Sequence, residues 1–154
     1  MTRRGEQHGS ESTSISSERA AEIEDVIERV RCWAVDRPDV LGLLLVGSCA
    51  RRAARSDSDV DLVLLTEEIT RYADGAWVDE LNLGRLTRLR PWGPVIERRF
   101  VTSTGLEVEI NVGPADWASV APVDPGTRQV VTDGARILHD PEDALITLLN
   151  ACRP

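Results

Sequence analysis

Two aspartates, Asp59 and Asp61, stand one residue apart at the start of the apolar run DVDLVLL. Side chains alternate along a β-strand with a period of two, so a strand here places both carboxylates on one face. Neighbouring anions repel each other and tend to protonate unless a cation lies between them. Ligation by oxygen alone is typical of Mg²⁺, with Mn²⁺ as the alternative. The spacing therefore predicts a divalent-metal site.

A third carboxylate is available in the segment GLEVEIN, which contains Glu107 and Glu109 with the same spacing. If this segment is a strand beside the first one, a third acid joins the pair, as in sites that hold two metal ions about 3.5–4 Å apart. Glu109 is preferred because Val108 and Ile110 flank it symmetrically. Glu107 is the alternative ligand, and a solvated edge-strand face is the alternative reading of both glutamates.

The alternation of Asp57, Asp59 and Asp61 also invites comparison with a calcium-binding loop. That loop requires glycine directly after the third acid, where this chain has Leu62. The apolar residues that follow are typical of a strand, so the pattern disfavours calcium.

Gly47 and Ser48 follow an apolar run and precede an Ala/Arg-rich segment, residues 48–55, that predicts a short helix. A glycine before the free N–H groups of a helix N-terminus forms a suitable phosphate site. The Ser48 hydroxyl could contact phosphate or metal, or serve only as the N-cap. Arg51 could bind a polyphosphate or lie on a solvated face.

The remaining pattern supplies elements to position these residues. Apolar spacing predicts a helix from Ser17, with Ser17 as its N-cap, and a strand buried on both faces at residues 40–47. Residues 67–84 favour helix. Strands are predicted at residues 85–90, 94–102 and 106–112, the last two joined by a turn at residues 103–105. A short helix, a short strand and a final helix starting at Pro141 complete the chain.

These elements predict an α/β (α+β) fold with a single mixed β-sheet and flanking helices. Residues 1–15 are polar and are expected to be a disordered tail, and residues 16–154 a single domain. Arg85, Arg88 and Arg90 alternate on one predicted strand, which indicates a solvated basic face.

Composition limits the function classes. The chain has 154 residues, 42% hydrophobic content and a net charge of −8, so stable binding of duplex nucleic acid is not expected. The sequence contains no apolar run of about 18 residues, so it predicts no membrane span, and no membrane partner is expected. Three widely spaced cysteines disfavour a disulfide framework, which fits a cytoplasmic protein.

The segment GSCARRAARSDSDVDL resembles the signature of polymerase-β-type nucleotidyltransferases, in which Gly-Ser is followed after about ten residues by Asp-x-Asp. The likeness is strongest to the minimal nucleotidyltransferases and the aminoglycoside nucleotidyltransferases. It covers residues 40–65 closely and residues 105–117 loosely. The matching positions are Gly47, Ser48, Ala50, Arg51, Ala53, Ser58, Asp59, Asp61 and Leu62. It implies a nucleotidyltransferase core like the polymerase-β palm.

The resemblance implies roles for these residues. Asp59, Asp61 and Glu109, or alternatively Glu107, would be the catalytic and metal-binding acids for two Mg²⁺ ions. The nucleotide-binding residues would be Gly47, Ser48, Arg51 and Ser58. The reaction would transfer a nucleoside monophosphate, with AMP from ATP preferred, to an acceptor hydroxyl with release of pyrophosphate.

The acceptor stays open between two classes, a small molecule such as an aminoglycoside and a partner protein. About 40 residues follow Val112, fewer than a separate acceptor domain would need, so a homodimer could supply the missing wall. The second class corresponds to an antitoxin-type protein that binds, and in some cases adenylylates, a toxin. One departure, Arg52 where the family has glycine, raises the further alternative of a catalytically degenerate member.

Overall fold

Two apolar segments form the central strands of the molecule, β1 (Val40–Val46) and β2 (Val60–Thr66). The computed structural model describes residues 15–154. Outside β1 and β2 the strands are β3 (Arg85–Trp92), β4 (Val95–Val101), β5 (Glu107–Pro114) and β6 (Ala135–His139). They form one mixed sheet in the order β3-β4-β5-β2-β1-β6. Among the strands of residues 15–154, β2 and β5 are the only parallel neighbours.

Helices cover the two faces of the sheet unequally. Helices α1 (Ser17–Val35) and α2 (Ala76–Leu81) lie on the first face, where α1 buries Ile23, Val26, Ile27, Val30 and Ala34. Helices α3 (Pro125–Thr132) and α4 (Ala144–Ala151) pack on β1, β2 and β6 of the second face. The second face of β3, β4 and β5 borders a cavity. This open half of the sheet carries polar and charged residues, among them Glu97, Arg99 and Glu109.

The predicted single mixed sheet with flanking helices is confirmed. Residues 67–84 form a 3₁₀ turn (Ile69–Tyr72) and α2 rather than one helix. The predicted disordered tail falls almost entirely on residues 1–14, which lie outside the described residues. None of the helices in residues 15–154 has the length and hydrophobicity that crossing a bilayer requires.

Two predicted helix starts are corrected. Helix α1 is capped by Ser16, not Ser17, because the Ser16 hydroxyl accepts a hydrogen bond from the Arg19 N–H at 3.0 Å. Helix α4 begins at Ala144 rather than Pro141. The Asp140 carboxylate accepts hydrogen bonds from the first-turn N–H groups of this helix, each at 2.9 Å, so the cap lies several residues before the helix.

The helix predicted at residues 48–55 is wrong, because the chain makes a single turn there and then leaves the helical conformation. Arg52 has a positive φ of 59°. Its N–H donates to the Cys49 carbonyl at 3.2 Å, and the Ala53 N–H donates to the Ser48 carbonyl at 2.9 Å. This pair of bonds is the Schellman pattern that ends helices, with Arg52 in the place glycine normally takes. The early stop lets the chain return from β1 to its antiparallel neighbour β2.

We predict that Arg52→Gly stabilises the protein. A non-glycine residue in the left-handed region costs about 1–2 kcal/mol, and the larger unfolded-state entropy of glycine offsets part of the gain. The expected net effect is about 0.5–1 kcal/mol, or a rise of about 1–4 °C in Tm, measured by thermal unfolding followed by circular dichroism.

Arg52→Ala is the matched control, since it removes the same exposed side chain but keeps a Cβ at the strained position. It should not raise the Tm. Equal stabilisation by both substitutions would attribute the effect to the lost charge instead of the backbone.

Candidate active site

Four charged residues form one row across the open half of the sheet. Asp61 of β2 lies opposite Glu109 of β5. Glu109 lies opposite Arg99 of β4, and Arg99 lies opposite Arg88 of β3. Directly paired residues on neighbouring strands project to the same face. The register therefore places two carboxylates beside two guanidinium groups.

Asp59 joins this row immediately before β2. Asp59, Asp61 and Glu109 each offer a carboxylate oxygen within 4.8 Å of the other two, and we call these three residues the acidic trio. The Asp61 Oδ1 atom is buried and has no hydrogen-bond partner among the described residues. A buried anionic oxygen without a partner is costly, and an all-oxygen donor set of this kind fits Mg²⁺ or Mn²⁺. The trio thus has the donor chemistry of a metal site.

Gly47 packs directly against the trio. It has a positive φ of 77°, and a Cβ atom at this position would lie 3.1 Å from Asp61 Oδ2. The backbone conformation therefore favours glycine, and a side chain here would also crowd the Asp61 carboxylate.

The trio is electrostatically strained without a cation. Burial raises the pKa of Asp61 above its ordinary value, although a hydrogen bond from Glu109 opposes this shift. Burial raises the pKa of Glu109 to about 8, reinforced by the hydrogen bonds that its protonated carboxyl donates toward Asp61 and Glu97. The Asp61–Glu109 pair thus retains a proton at neutral pH that relieves part of the repulsion between its carboxylates.

Arg99 supplies positive charge at this position. Its guanidinium donates to Asp59 Oδ2 at 3.0 Å and lies 3.5 Å from Glu109 Oε1. The sequence prediction missed this residue, although a signal for it was present. A hairpin centred on Thr104, as the predicted turn implies, pairs residues symmetrically about that position and so sets Arg99 opposite Glu109.

Arg88 and Arg90 are solvent-exposed, as predicted for this strand face, but they also make contacts that the sequence did not indicate. Both approach Glu97 of β4, Arg88 Nε at 2.7 Å and Arg90 Nη2 at 3.5 Å. Glu97 is only 3% exposed. Its burial favours a raised pKa, but hydrogen bonds from Trp92, Glu109 and Arg88 lower the pKa to about 2. A buried, ionised carboxylate thus gathers these arginines on the cavity side of the sheet.

The predicted nucleotide-binding residues lie around the turn after β1. Ser48 Oγ and Ser58 Oγ are 3.1 Å apart, and Ser58 Oγ accepts from the Arg55 N–H at 2.8 Å. The turn thus brings Ser48 and Ser58 together beside Gly47. The Arg51 guanidinium instead donates to the Asp133 carbonyl at 2.6 Å, which ties the turn to the end of α3.

Glu107, the alternative third acid, lies outside the trio. Its side chain is 50% exposed, and its carboxylate is 3.5 Å from Arg99. Within the described residues, Glu109 is the glutamate that meets Asp59 and Asp61.

A cavity of about 850 Å³ begins at Asp61 and Glu109 and extends over β5, β4 and β3. Its walls include Trp92 and, from the segment around α3, Trp117 and Thr127. It combines apolar surface with the charged row, the usual composition of a ligand site.

Several solved structures have a fold similar to that of this chain. The chain is similar to the Cid1 RNA terminal uridylyl transferase, with a TM-score of 0.52 and 16% identity, over 78% of this chain and 36% of that one. A Cid1 poly(U) polymerase structure with magnesium and 3′-dATP gives a TM-score of 0.50 and 19% identity, over 65% and 33%. A nucleotidyltransferase-like protein from Exiguobacterium sibiricum 255-15 gives 0.46 and 17%, over 82% and 38%.

No protein-family model matches the sequence, and no curated protein is significantly similar to it. The chain spans about a third of the length of the solved structures it resembles. The two Cid1 structures show that this chain shares the fold of the nucleotidyltransferase part of those proteins.

The raised pKa values predict an unusual pH dependence of stability without metal. An acid with a raised folded-state pKa contributes stability that is present below its ordinary pKa of 4.5 and is lost as pH rises through about 8. Between pH 5 and 8.5 the cation-free protein should therefore become less stable, by up to a few kcal/mol at about 1.4 kcal/mol per pKa unit. Thermal unfolding in EDTA across this range measures the effect, and added Mg²⁺ should restore stability most at high pH.

Glu109→Gln provides the control, because an amide cannot ionise at this position. Its stability in EDTA should change much less over the same pH range. A wild-type Tm that rises with pH across this interval would contradict the assignment.

Proposed function

We propose that this protein is a metal-dependent nucleotidyltransferase that transfers a nucleoside monophosphate, with AMP from ATP preferred, to an acceptor hydroxyl. The observation that carries the proposal is the acidic trio, two of whose members, Asp61 and Glu109, line a large cavity in a nucleotidyltransferase fold. Residues 16–154 would form the single catalytic domain. The odd number and wide spacing of its cysteines support a cytoplasmic location.

Asp59, Asp61 and Glu109 would hold the metal. Their oxygens already converge, and the unpartnered Oδ1 atom of Asp61 supports this role. Two Mg²⁺ ions, when bound, would stabilise the attacking and leaving oxygens of the transferred phosphoryl group. The rigid β2–β5 pairing would keep the trio fixed during the reaction.

Gly47, Ser48 and Ser58 would bind the triphosphate. The N–H groups of Ser48 and Cys49 donate to no oxygen within residues 15–154, so they are available to phosphate oxygens. The neighbouring hydroxyls of Ser48 and Ser58 would add donors. Arg51 would have to exchange its bond to the Asp133 carbonyl for one to phosphate.

The reaction forms a bond between the acceptor oxygen and the α-phosphorus and breaks the bond from this phosphorus to the oxygen of the β-phosphate. The acceptor proton would pass to water, or to Glu109 once the bound cation has displaced the proton that Glu109 carries, and pyrophosphate would leave. In-line displacement puts the acceptor opposite the leaving group. With the phosphates at Gly47 and Ser48, the acceptor would approach from the cavity over β5 and β4.

The cavity supports a small-molecule acceptor held within one chain, without a wall from a second subunit. Two alternatives remain as outcomes of the test. One is a partner protein, as for an antitoxin-type regulator, and the other is an RNA terminus, on which the Cid1 transferase acts.

Incubation with α-labelled ATP or UTP and Mg²⁺ tests the proposal. Aminoglycosides and other polyhydroxylated amines, short RNA and the protein encoded by a neighbouring gene would be supplied as acceptors in turn. Label should appear in one acceptor with stoichiometric pyrophosphate. If the label is confined to protein or RNA, that class and not a small molecule is the acceptor. If no pyrophosphate is released with any acceptor and nucleotide, the protein is not a nucleotidyltransferase.

We further predict that Asp61→Asn and Glu109→Gln each reduce the transfer rate by about 100-fold or more, because each removes a charge that the metal and the transition state need. Both variants should stay folded, since each neutral amide relieves repulsion in the trio. Initial rates of pyrophosphate release provide the measurement.

Glu107→Gln is the matched control, as it makes the same change two residues away on the same strand. It should retain activity within about threefold, or about 0.65 kcal/mol of barrier. A loss equal to that of Glu109→Gln would move the third ligand to Glu107.

A further inference from the structure

Arg99 binds two members of the acidic trio directly. Its guanidinium contacts Asp59 Oδ2 at 3.0 Å and Glu109 Oε1 at 3.5 Å, and its side chain is only 18% exposed. The β4–β5 register holds its backbone directly opposite Glu109. The contact is therefore built into the sheet instead of arising from a mobile surface side chain.

Arg99 differs from the other two arginines of the cavity in its partners. Arg88 and Arg90 make their nearest ion pairs with Glu97, which is outside the trio, and Arg88 lies 3.9 Å from Glu109. The carboxylates within 4 Å of Arg99, among the described residues, are Asp59, Glu109 and the half-exposed Glu107. A change in the charge of the trio thus acts mainly on Arg99.

A guanidinium and a metal ion compete for the same carboxylates. Lone pairs that accept N–H hydrogen bonds are not free to ligate a cation, and the guanidinium charge repels an incoming divalent ion at short range. Arginine also binds phosphate oxygens well, through several N–H donors in a planar fork.

We propose that Arg99 is a built-in counter-ion that competes with the divalent cation for Asp59 and Glu109 and yields when nucleotide phosphates offer it another partner. The inference rests on the proposed metal-dependent nucleotide transfer and adds its order of assembly. Cation alone binds weakly, whereas cation and triphosphate bind together and strengthen each other. Arg99 is then a positioning residue that couples the two ligands.

Mn²⁺ binding, measured without nucleotide by isothermal titration calorimetry and electron paramagnetic resonance, tests this inference. Arg99→Gln should bind Mn²⁺ about tenfold or more tightly than wild type, since loss of the competitor is expected to change the binding free energy by about 1.4 kcal/mol. Addition of α,β-methylene-ATP should then tighten Mn²⁺ binding strongly in wild type and much less in Arg99→Gln.

Arg90→Gln is the matched control. It removes one positive charge from the same face of the cavity, but its ion-pair partner is Glu97 and not a member of the trio. Its Mn²⁺ affinity should stay within about threefold of wild type. Equal tightening in both variants would mean that general charge, not competition by Arg99, sets the affinity.

The outcomes separate this inference from the proposed function. If wild type binds Mn²⁺ and Arg99→Gln binds it equally or more weakly, the competition is wrong while the metal site stands. If neither protein binds Mn²⁺, with or without the analogue, both are wrong.

Arg99→Gln could lose its fold without a cation, and that result is also informative. Recovery of its helical circular dichroism at Mn²⁺ concentrations below the wild-type Kd supports the inference. Failure to recover at millimolar Mn²⁺, while Arg99→Lys folds in EDTA, would overturn it, because Arg99 would then be required for structure.

Discussion

Repulsion between carboxylates on adjacent central strands is the constraint on which the site depends. Asp61 and Glu109 meet because β2 and β5 run parallel, and the other strand pairs of the sheet are antiparallel. A parallel pair needs a long crossover, and this chain makes it with α2 and the β3–β4 hairpin. The same hairpin leads into β5 and carries Arg99 to the position opposite Glu109. The same connection therefore brings the two carboxylates together and places a positive charge, that of Arg99, beside them.

The opposite face of the same strands makes the arrangement rigid. Val60 and Leu62 flank Asp61 and are fully buried in the core that α1 covers. Strand alternation then fixes the Asp61 carboxylate on the cavity face, since a register slip would bury the charge in that core. The field of the acids extends to Cys49, where burial, followed by the charges of Asp61 and Asp59, raises the thiol pKa to about 11. Cys49 is 6% exposed and packs in the core beside the site, and its raised pKa keeps the thiol protonated at neutral pH.

Much of the sheet could be predicted from periodicity, because β1 and β2 are apolar runs with clear ends and β4 and β5 flank a recognisable turn. The pair Asp59 and Asp61 was visible as a local spacing. The turn at residues 48–55 could not be predicted from the sequence, because alanine and arginine favour helix locally. The return of the chain to β2 ends the helical conformation at Arg52 in spite of this preference. The contacts between Glu97 and the arginines of β3 were missed for a different reason. Their contacts depend on the pairing of β3 with β4, and strand composition alone does not reveal which neighbours a charge will have.

The open half of the second face follows from the same charges. Helices α3 and α4 cover β1, β2 and β6, where Leu44, Val63 and Leu65 offer apolar surface. Beyond the trio, the sheet presents Glu97, Asn111 and three arginines. An apolar helix laid across these groups would remove their hydration without giving them hydrogen-bond partners. The free energy lost by this desolvation exceeds the free energy gained by burying apolar surface. The charged row therefore prevents this part of the sheet from acquiring an apolar cover. The cavity and the acidic trio are thus adjacent for one physical reason, and a polar ligand can reach the carboxylates along the same surface that the helices leave free.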